Sequence, residues 1–429
     1  MNNTVQEMSW IQTSFAAMEA NMNGASQLPV HQLRKEALSS LTKTGFPTAK
    51  DEDWKYTNVR DLLKRSYSLA DKSEVAIEFN QLVYKDAKYK AVFIDGSYHA
   101  EQSNLPAEVE AKPLSELLKD SSNSLVKERL AEYKDWGAYA ALNTAFSQDG
   151  FFLHLKSGQE LSEPIHLIFF TSSSSIATHP RIILELEANT KSTIVESYYG
   201  AGAGYFTTAL TQVKLGAGAY CDHYRIQDES LDAFHFSSLR IEQADKSIFR
   251  THSFAFGSAT ARSEVWPVLN GSELDSTLNG LNVLSGKQHV DNFTVIDHAQ
   301  PNSESHEHYK GVYSDQSKGV FSGTIIVRPD AQKTNAFQSN NSILLSDRAQ
   351  AHSKPQLKIW ADDVKCSHGA TIGELDEEGM FYLISRGIDK EQSRNILIRA
   401  FANEIVGQVK LEALREPLLA RIAEKLAVS

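Results

Sequence analysis

Short stretches in which apolar and polar residues alternate dominate the middle of the chain, from about residue 151 to residue 371. They are separated by Gly, Asn, Asp and Ser. A period of two is the pattern of strands with one buried face, so this region is predicted to be all-β. Its strands are expected at residues 151–155, 165–170, 181–186, 193–198, 206–215, 220–226, 236–241, 248–254, 265–269, 278–284, 293–296 and 320–327.

Two architectures accommodate so many short strands. Strands that recur every ~8 to 12 residues are typical of a sandwich or a barrel, but those folds rarely hold this many strands in one unbroken domain. A β-solenoid grows by stacking turns, so it lengthens without widening its core. Because the sequence shows no exact repeat, the pattern alone leaves both architectures open.

Helical spacing precedes the β region. Met8, Ile11, Phe15 and Met18 recur at the interval of one helix face, which predicts a first helix. Further elements are expected as a helix at residues 33–41, a strand at residues 91–95 and helical segments within residues 113–133. Together they predict a mostly helical N-terminal domain at residues 1–150, ahead of a β core at residues 151–372.

The pattern turns helical again in residues 373–429, which we expect to form a C-terminal domain. Asp376 is expected to cap a short helix and Gly387 to end it. Asp389 is expected to cap the next helix, with Gln392 as its capping-box partner. The apolar positions of these last helices are Leu397, Phe401, Ile405, Val409, Leu414, Leu418, Leu419 and Leu426.

Composition and charge narrow the function. With 41% hydrophobic and 23% charged residues the chain is too apolar to be disordered, and its formal net charge of −11 argues against a nucleic-acid partner. The two cysteines, Cys221 and Cys366, exclude a disulfide scaffold and any CxxC site. Since we find neither a secretory signal nor the ~20 apolar residues needed to cross a bilayer, we expect a cytoplasmic protein with no membrane partner.

Nucleotide hydrolysis by a P-loop is not expected. Gly286 and Lys287 are followed by Gln288, which does not supply the magnesium-binding hydroxyl of that motif. Glu304, His306 and His308 alternate along one strand and therefore share a face, where they are potential metal ligands. We favour the simpler interpretation that they point outward into solvent.

Cys366 and His368 form the most reactive pairing in the sequence. On a strand their side chains point to the same side, and a thiolate beside an imidazole and Lys365 is expected to have a lowered pKa and to bind soft or borderline metals such as iron. A buried structural cysteine beside a hydrogen-bonded histidine is the alternative that spacing alone favours. A hydrolytic Cys–His dyad is less favoured, because no oxyanion-type helix start follows Cys366.

Several motifs closely resemble the SufB/SufD family. They are KCSHGATIG at residues 365–373, DEE at 376–378, FYLISRGI at 381–388, DWKYT at 53–57, and Ser305, Glu307, Tyr309, Lys310 and Gly311 in one strand. The length, the DWKYT motif and the scarcity of cysteine are similar to the SufD branch. The resemblance implies a mainly β fold, a right-handed parallel β-helix flanked by helical N- and C-terminal domains.

The resemblance also implies a non-catalytic scaffold in an iron–sulfur cluster assembly complex. Members of this branch pair with SufB through their β-helices and bind the ATPase SufC through the C-terminal helices, so ATP hydrolysis belongs to the partner. His368 matches a histidine at the SufB interface that is implicated in iron acquisition or cluster formation, and Cys366 matches the cysteine beside it. A transient iron or cluster at that interface is implied, with none held firmly by this chain alone. No motif for flavin is present.

These implications lead to a mechanistic hypothesis. ATP-driven dimerisation of SufC would pull the C-terminal domains and expose Cys366 and His368 to iron or sulfur. The SufC-docking surface is expected to include Met380, Phe381, Leu383, Ile384 and Phe401. The alternatives are an autonomous homodimer, formed through the same β-helix edge, and a β-solenoid enzyme acting on polysaccharide.

Overall fold

The computed structural model describes residues 9–22, 25–70, 75–120 and 123–427. Its central feature is a pair of mainly parallel β-sheets between which the chain passes back and forth, so that most consecutive strands lie in opposite sheets. This is a parallel β-solenoid of about 8 turns, and the predicted mainly β solenoid between helical ends is confirmed.

Helices lie mainly toward the two ends of the chain, and the long strands lie between them. The α-helices are α1 (Ser9–Ala20), α2 (Pro29–Thr44), α3 (Arg60–Leu63), α4 (Leu114–Leu117), α5 (Ser124–Ala131), α6 (Gly137–Phe146), α7 (Glu377–Ser385), α8 (Lys390–Val406) and α9 (Glu412–Ala427). The strands are β1 (Ser68–Leu69), β2 (Tyr89–Ile94), β3 (Ser97–Tyr98), β4 (Glu110–Pro113), β5 (Gly150–Leu155), β6 (Ile165–Thr171), β7 (Ile176–Thr178), β8 (Arg181–Leu186), β9 (Lys191–Gly200), β10 (Phe206–Leu215), β11 (Tyr220–Asp228), β12 (Phe234–Gln243), β13 (Ile248–Ala255), β14 (Thr260–Leu269), β15 (Asp275–Leu284), β16 (His289–His298), β17 (Glu304–Tyr313), β18 (Lys318–Val327), β19 (Asn335–Leu344), β20 (Gln350–Ile359) and β21 (Lys365–Gly373). The front sheet has the strand order β20-β18-β16-β14-β12-β10-β8-β5-β4, and the back sheet has the order β21-β19-β17-β15-β13-β11-β9-β6-β2-β3.

Each turn of the solenoid takes about 30 residues, within the period of known solenoids. Alternate side chains point into the space between the two sheets, where aromatic rings stack from turn to turn. The Phe93 and Phe169 rings lie 4.9 Å apart, and Phe169 and Tyr198 lie 5.0 Å apart. This stacking explains the alternating sequence, because each strand presents one face to the core and one to the outside.

The corners between strands are held by backbone rather than by a sequence repeat. At one corner, successive turns place a residue with positive φ, including Asn189, Lys246 and Glu273. Each donates its amide to a carbonyl in the next turn, as Asn189 does to Ala217 at 2.9 Å. A main-chain ladder requires no particular side chain. The missing exact repeat is therefore compatible with a solenoid.

The N-terminal domain is built onto the first turns. Strand β2 extends the back sheet beside β6 in parallel, and β4 extends the front sheet beside β5 in antiparallel orientation. Helix α6 packs on the outside of the front sheet, where the Asn143 side chain donates to the carbonyls of Pro180 (2.9 Å) and Thr208 (2.8 Å). The predicted domain limits at 150 and 372 stay predictions, next to the observed start of β5 and end of β21.

The C-terminal helices pack on the outside of the back sheet. The Tyr224 hydroxyl of β11 accepts hydrogen bonds from the amides of Lys410 (3.0 Å) and Leu411 (3.1 Å), just before α9. Arg421 on α9 forms a paired contact with Asp228 at 2.7 and 2.8 Å. These contacts fix the last helices against the solenoid.

The predicted caps at Asp376 and Asp389 and the helix end at Gly387 are confirmed, whereas the capping-box role of the Gln392 side chain stays a prediction. The Asp376 side chain accepts from the Glu378 amide, and the Asp389 side chain accepts from the Gln392 amide at 2.9 Å. Gly387 has φ of +88°, as a glycine that ends a helix requires.

Other sequence-based predictions were wrong or incomplete. The apolar stripe predicted for α8 and the residues after it was right in part. Ile405 and Val409 are buried as expected, whereas Leu397 and Phe401 are half-buried and the buried face also includes Ile398, Ala402 and Val406. Strands β19 and β20 and helix α6 were not predicted. Met8, from the first predicted stripe, lies outside the described residues. Within the described ranges, no helix is both long enough and apolar enough to span a membrane.

One core contact gives a direct test of the packing. Tyr313 lies between Gly311 and Gly319, and a Cβ atom at Gly311 would come 2.2 Å from its hydroxyl oxygen. We expect Gly311→Ala to lower the free energy of unfolding by about 1 to 3 kcal/mol, because the ring must shift in a packed interior. Urea titration followed by circular dichroism measures this change. Gly369→Ala is the matched control, since a Cβ there meets nothing within 4 Å; equal stability of the two variants would contradict the prediction.

Candidate functional site

The last turn of the solenoid has an open end. Strand β20 pairs with β18 and strand β21 pairs with β19, and neither has a second neighbouring strand within the described part of the chain. The apolar side chains of Ile359, Trp360 and Ile372 are exposed around this end, Trp360 by 59%. Two strand edges with free main-chain groups and apolar surroundings are a template for pairing with another strand.

The structure places Cys366 and His368 on β21, two positions apart and therefore on the same face. Cys366 is half-buried, packs against the interior apolar cluster and lies in register with Ala336. His368 is exposed and lies in register with Gln338. The pair therefore combines a half-covered thiol with an imidazole that is open to an incoming metal or partner.

The expected lowering of the Cys366 pKa is wrong. Burial raises the pKa of this thiol, and a hydrogen bond with the Ala336 backbone only partly opposes that effect. Desolvation disfavours the charged thiolate, and Lys365, which is exposed, does not overcome it. Cys366 is therefore mainly a thiol at neutral pH in the isolated chain, and it becomes a better ligand only if its surroundings change.

Behind His368, the same inward column continues with Gln338 and Glu307. Both side chains are 2% exposed, and the Gln338 amide donates to a Glu307 carboxylate oxygen at 2.6 Å. Burial raises the pKa of Glu307 to about 7, although this hydrogen bond opposes the rise. The inner wall behind the exposed histidine is thus polar and carries an acid that titrates near neutral pH.

The other cysteine is structural. Cys221 is fully buried in the apolar interior, and this burial raises its pKa to about 12. It lies in β11, several turns away from β21. The sequence-based interpretation of Cys221 as buried rather than ligating agrees with this position.

Glu304, His306 and His308 lie together on β17, outside the solenoid. The His306 ring stacks on Phe337 at 5.6 Å, and its Nε2 atom is 3.7 Å from the Glu304 carboxylate. His308 is half-buried, and burial lowers its pKa. Among the described residues, no group of three or more His, Cys, Asp or Glu side chains has a metal-binding arrangement.

Helix α7 presents an unusual apolar surface. None of its residues is buried, and Phe381 and Ile384 are 75% and 44% exposed. Of the other predicted docking residues, Met380 and Leu383 are half-buried on the same helix, and Phe401 is half-buried on α8. Sequence reasoning missed Tyr382 and Ile396, which are also exposed; the signal was an apolar run too dense for a helix with one buried face.

Two of the family motifs join the solenoid to the helical domains, and the first of them contributes Lys310. Lys310 on β17 is buried, donates to the Phe401 carbonyl at 3.2 Å and contacts the Glu404 carboxylate at 2.5 Å. Its ammonium group lies 3.9 Å from the centre of the Phe401 ring. Part of the Phe401 surface is therefore already covered by contacts within the chain.

The N-terminal motif reaches the opposite sheet. The Thr57 hydroxyl donates to Asp291 on β16 at 2.5 Å, and the Tyr56 ring stacks on His352 of β20 at 4.5 Å. Lys354, also on β20, forms an ion pair with Glu52. The segment around residues 52–57 thus contacts one of the two strands that form the open end.

Comparison with known proteins shows to which family this chain belongs. The description "SUF system FeS cluster assembly, SufBD core domain" matches residues 169–401, and "SufBD protein N-terminal region" matches residues 6–167. This chain belongs to the SufBD family. The family has a role in iron–sulfur cluster assembly, and the resemblance found in the motifs is confirmed.

Individual relatives of this SufBD chain cover nearly its whole length. The iron-sulfur cluster assembly protein SufD of Escherichia coli (strain K12) is 30% identical over 91% of this chain and 92% of its own length. A SufBD family protein of Synechocystis sp. is 31% identical over 92% of this chain and 91% of its own. The chloroplastic protein ABCI7 of Arabidopsis thaliana is 26% identical over 91% of this chain and 85% of its own.

The buried acid gives a pH-dependent prediction. Since the Glu307 pKa is raised from 4.5 to about 7 in the folded chain, folding takes up a proton between these values, and stability falls as pH rises through that window. Glu307→Gln removes this loss. We expect its stability relative to the native chain to increase by about 1 to 3 kcal/mol between about pH 4.5 and about pH 8.

Urea unfolding at both pH values measures the difference. Glu304→Gln, at an exposed position on the outer side of the same strand, is the control and should show no such gain. A stability difference between Glu307→Gln and the native chain that is constant with pH would contradict the assignment.

Proposed function

We propose that this chain is the SufD-type, non-catalytic scaffold of a cytoplasmic iron–sulfur assembly complex. It pairs with SufB through the open end of the solenoid and binds the ATPase SufC through α7 and α8. The observation that carries the proposal is that β20 and β21 each have one edge without a partner strand among the described residues, with His368 exposed on the second.

Pairing with a second solenoid is supported by the chemistry of the open end. Adding a strand to each edge would satisfy its free N–H and C=O groups, and the exposed side chains of Trp360 and Ile372 would gain apolar contacts. His368 and the half-buried Cys366 would then lie at the seam between the two subunits. A partner that supplies further nitrogen, oxygen or sulfur ligands there would complete a site for iron or a cluster, the cargo of the reaction.

Binding of the ATPase is supported by the surface of α7. An amphipathic helix that offers Phe381, Tyr382 and Ile384 fits the mode in which a helix enters an apolar groove of its partner. Residues 374–376 alone separate the end of β21 from the start of α7. A displacement of α7 by the ATPase would therefore act on the strand that carries Cys366 and His368.

A second contact links the C-terminal helices to the solenoid. Helix α8 is attached to β17 through Lys310, which lies on the outer side of the strand whose inner side carries Glu307. We propose that ATP-driven movement of the helices changes the seam and uncovers the Cys366 thiol. Reduced desolvation would favour its thiolate, the form that binds iron.

The first test is His368→Ala, co-expressed with a SufB-like and a SufC-like partner and purified through a tag on this chain. We expect the complex to assemble in the native ratio but to lose most of its iron and acid-labile sulfide, because the exposed imidazole is removed. His306→Ala is the matched control, an exposed histidine on the outer face of the same sheet. Normal iron and sulfide content in the His368 variant would exclude the proposed site.

The second test concerns the docking helix. Phe381→Asp combined with Ile384→Asp should lower co-purification of the SufC-like ATPase at least tenfold and leave the SufB-like partner bound, because the charges oppose burial of α7. Leu231→Asp is the control, at an apolar position that is 60% exposed elsewhere on the surface. Equal ATPase recovery in both variants would place the docking surface elsewhere.

The same open end also fits a second copy of this chain. Light scattering after size exclusion distinguishes the two arrangements, on the isolated chain and on the co-expressed mixture. A homodimer that persists when a SufB-like partner is in excess would favour the autonomous dimer over the heteromeric subunit.

A further inference from the structure

A cavity of about 440 Å³ lies between the N-terminal domain and the outer face of the front sheet. Its walls come from the start of α6, the segment around Trp54 and strands β12, β14 and β16. The rings of Trp54, Trp136, Tyr139 and Trp266 line it, and all four are half-buried. Its volume is that of a site for a small molecule, and boundaries between domains are common places for such sites.

Arg240 supplies a positive charge beside this cavity. Its guanidinium lies 4.4 Å from the centre of the Trp266 ring and 5.3 Å from that of Trp136, and its side chain is 10% exposed. Its acidic partner, Glu264, is at the long distance of 3.4 Å and also receives Arg262 at 3.1 Å. Burial lowers the pKa of Arg240 to about 10, the direction expected of an under-compensated cation.

Arg262, in the same wall of the cavity, has more acceptors within the chain than Arg240. It is 2% exposed, contacts Asp291 and Glu264, and donates to the Asp53 carbonyl at 2.9 Å. Its donors are therefore used within the chain, and its position over the Trp54 ring, at 4.0 Å, is structural. Arg240 is paired less completely: its Nε donates to the Ser238 hydroxyl at 2.8 Å and its Nη2 reaches the Glu264 carboxylate at 3.4 Å. Within the described part of the chain its Nη1 has no acceptor, so this nitrogen is the donor that remains for a molecule in the cavity.

Two of the residues that line the cavity also carry a buried donor without an acceptor. The indole nitrogen of Trp266 and the hydroxyl of Tyr139 are buried, and neither has a hydrogen-bond partner within the described part of the chain. Leaving such a group unsatisfied costs about 1 to 3 kcal/mol. Both donor atoms are covered within the wall rather than open to the cavity, so a bound anion would supply their missing acceptor after a small shift of the two rings.

We propose that this cavity binds a small anion that carries a planar ring. The anionic group would accept from Arg240 and, once their rings shift, from Trp266 and Tyr139, and the planar ring would pack against the aromatic walls. The acids Asp51, Asp53 and Asp135 lie at the lining as well, so the anion must reach past them to the arginine. The proposal is independent of cluster assembly, because it uses the outer face of the front sheet and none of the residues of the open end.

Tryptophan fluorescence of the full chain provides the test, because three of its five tryptophans line the cavity. The probe is adenosine monophosphate, with adenosine as the ring without the anion and ribose 5-phosphate as the anion without the ring. We expect saturable quenching by adenosine monophosphate at millimolar concentration. Each half-molecule should bind at least tenfold more weakly.

Arg240→Gln should weaken binding of adenosine monophosphate at least tenfold. Arg250→Gln is the matched control and should leave it unchanged, since Arg250 also lies by an aromatic ring, Tyr220, and an acid, Asp275, but on the opposite sheet. Tyr139→Phe removes only a hydroxyl and should weaken binding severalfold, so the test does not depend on the arginine variant alone. Circular dichroism and thermal unfolding verify that each variant is folded.

Three results would overturn the proposal. They are the absence of saturable quenching by adenosine monophosphate, equal affinity in the native chain and in folded Arg240→Gln, and full quenching by ribose 5-phosphate at the same affinity. The last result would leave a simple anion site without a ring-binding wall.

Discussion

The main-chain ladder between successive turns is the interaction on which the rest of the structure depends. Each strand from β5 onward that lies inside the solenoid is paired on both sides, so every turn is the template for the next. Corner amides such as that of Asn189 extend the same ladder around the bends. A structure of this kind does not close on itself. Its last turn keeps unused hydrogen-bonding groups, and the candidate site is located where the ladder stops.

The two helical domains leave this end available because they cover other surfaces. The N-terminal helices pack outside the front sheet through contacts such as that of Asn143 with Pro180. The C-terminal helices pack outside the back sheet through Tyr224 and Arg421. Each sheet thus has one apolar face toward the other sheet and one face held by helices. The unpaired edges and the exposed surface of α7 then lie close together in sequence, on opposite sides of residues 374–376.

Much of the fold could be predicted from alternation and caps, because these are local signals. Strands with apolar inner faces were found, whereas β19 was missed since its inward positions include Gln338, Asn340 and Ser342. Those polar residues form the wall behind His368. The strand prediction therefore failed where the interior of the solenoid is polar and lies next to the candidate site. The choice between sandwich and solenoid rests on pairing between distant strands, which the pattern does not encode; the family motifs supplied it.

The site itself was predictable only in part. The positions of Cys366 and His368 on one strand follow from their spacing, but the raised pKa of the thiol depends on contacts with the preceding turn. The partial burial of Phe401 depends on Lys310, almost a hundred residues earlier in the chain. Exposure of Phe381 was expected from function rather than from pattern, because an apolar residue on a helix is more often buried.

The contacts between residues 52–57 and β20 have a consequence for how the chain folds. Glu52 and Lys354 are separated by 302 positions, and Tyr56 is similarly distant in sequence from His352, on which its ring stacks. During synthesis the segment emerges first, while its partners appear only when the last turn has been made. Contacts of such high sequence separation form late, since a long loop must close before they are gained. The segment is therefore attached in full only when the solenoid is complete, and a chain that stops short of the final turn leaves Glu52 and the Tyr56 ring without these partners.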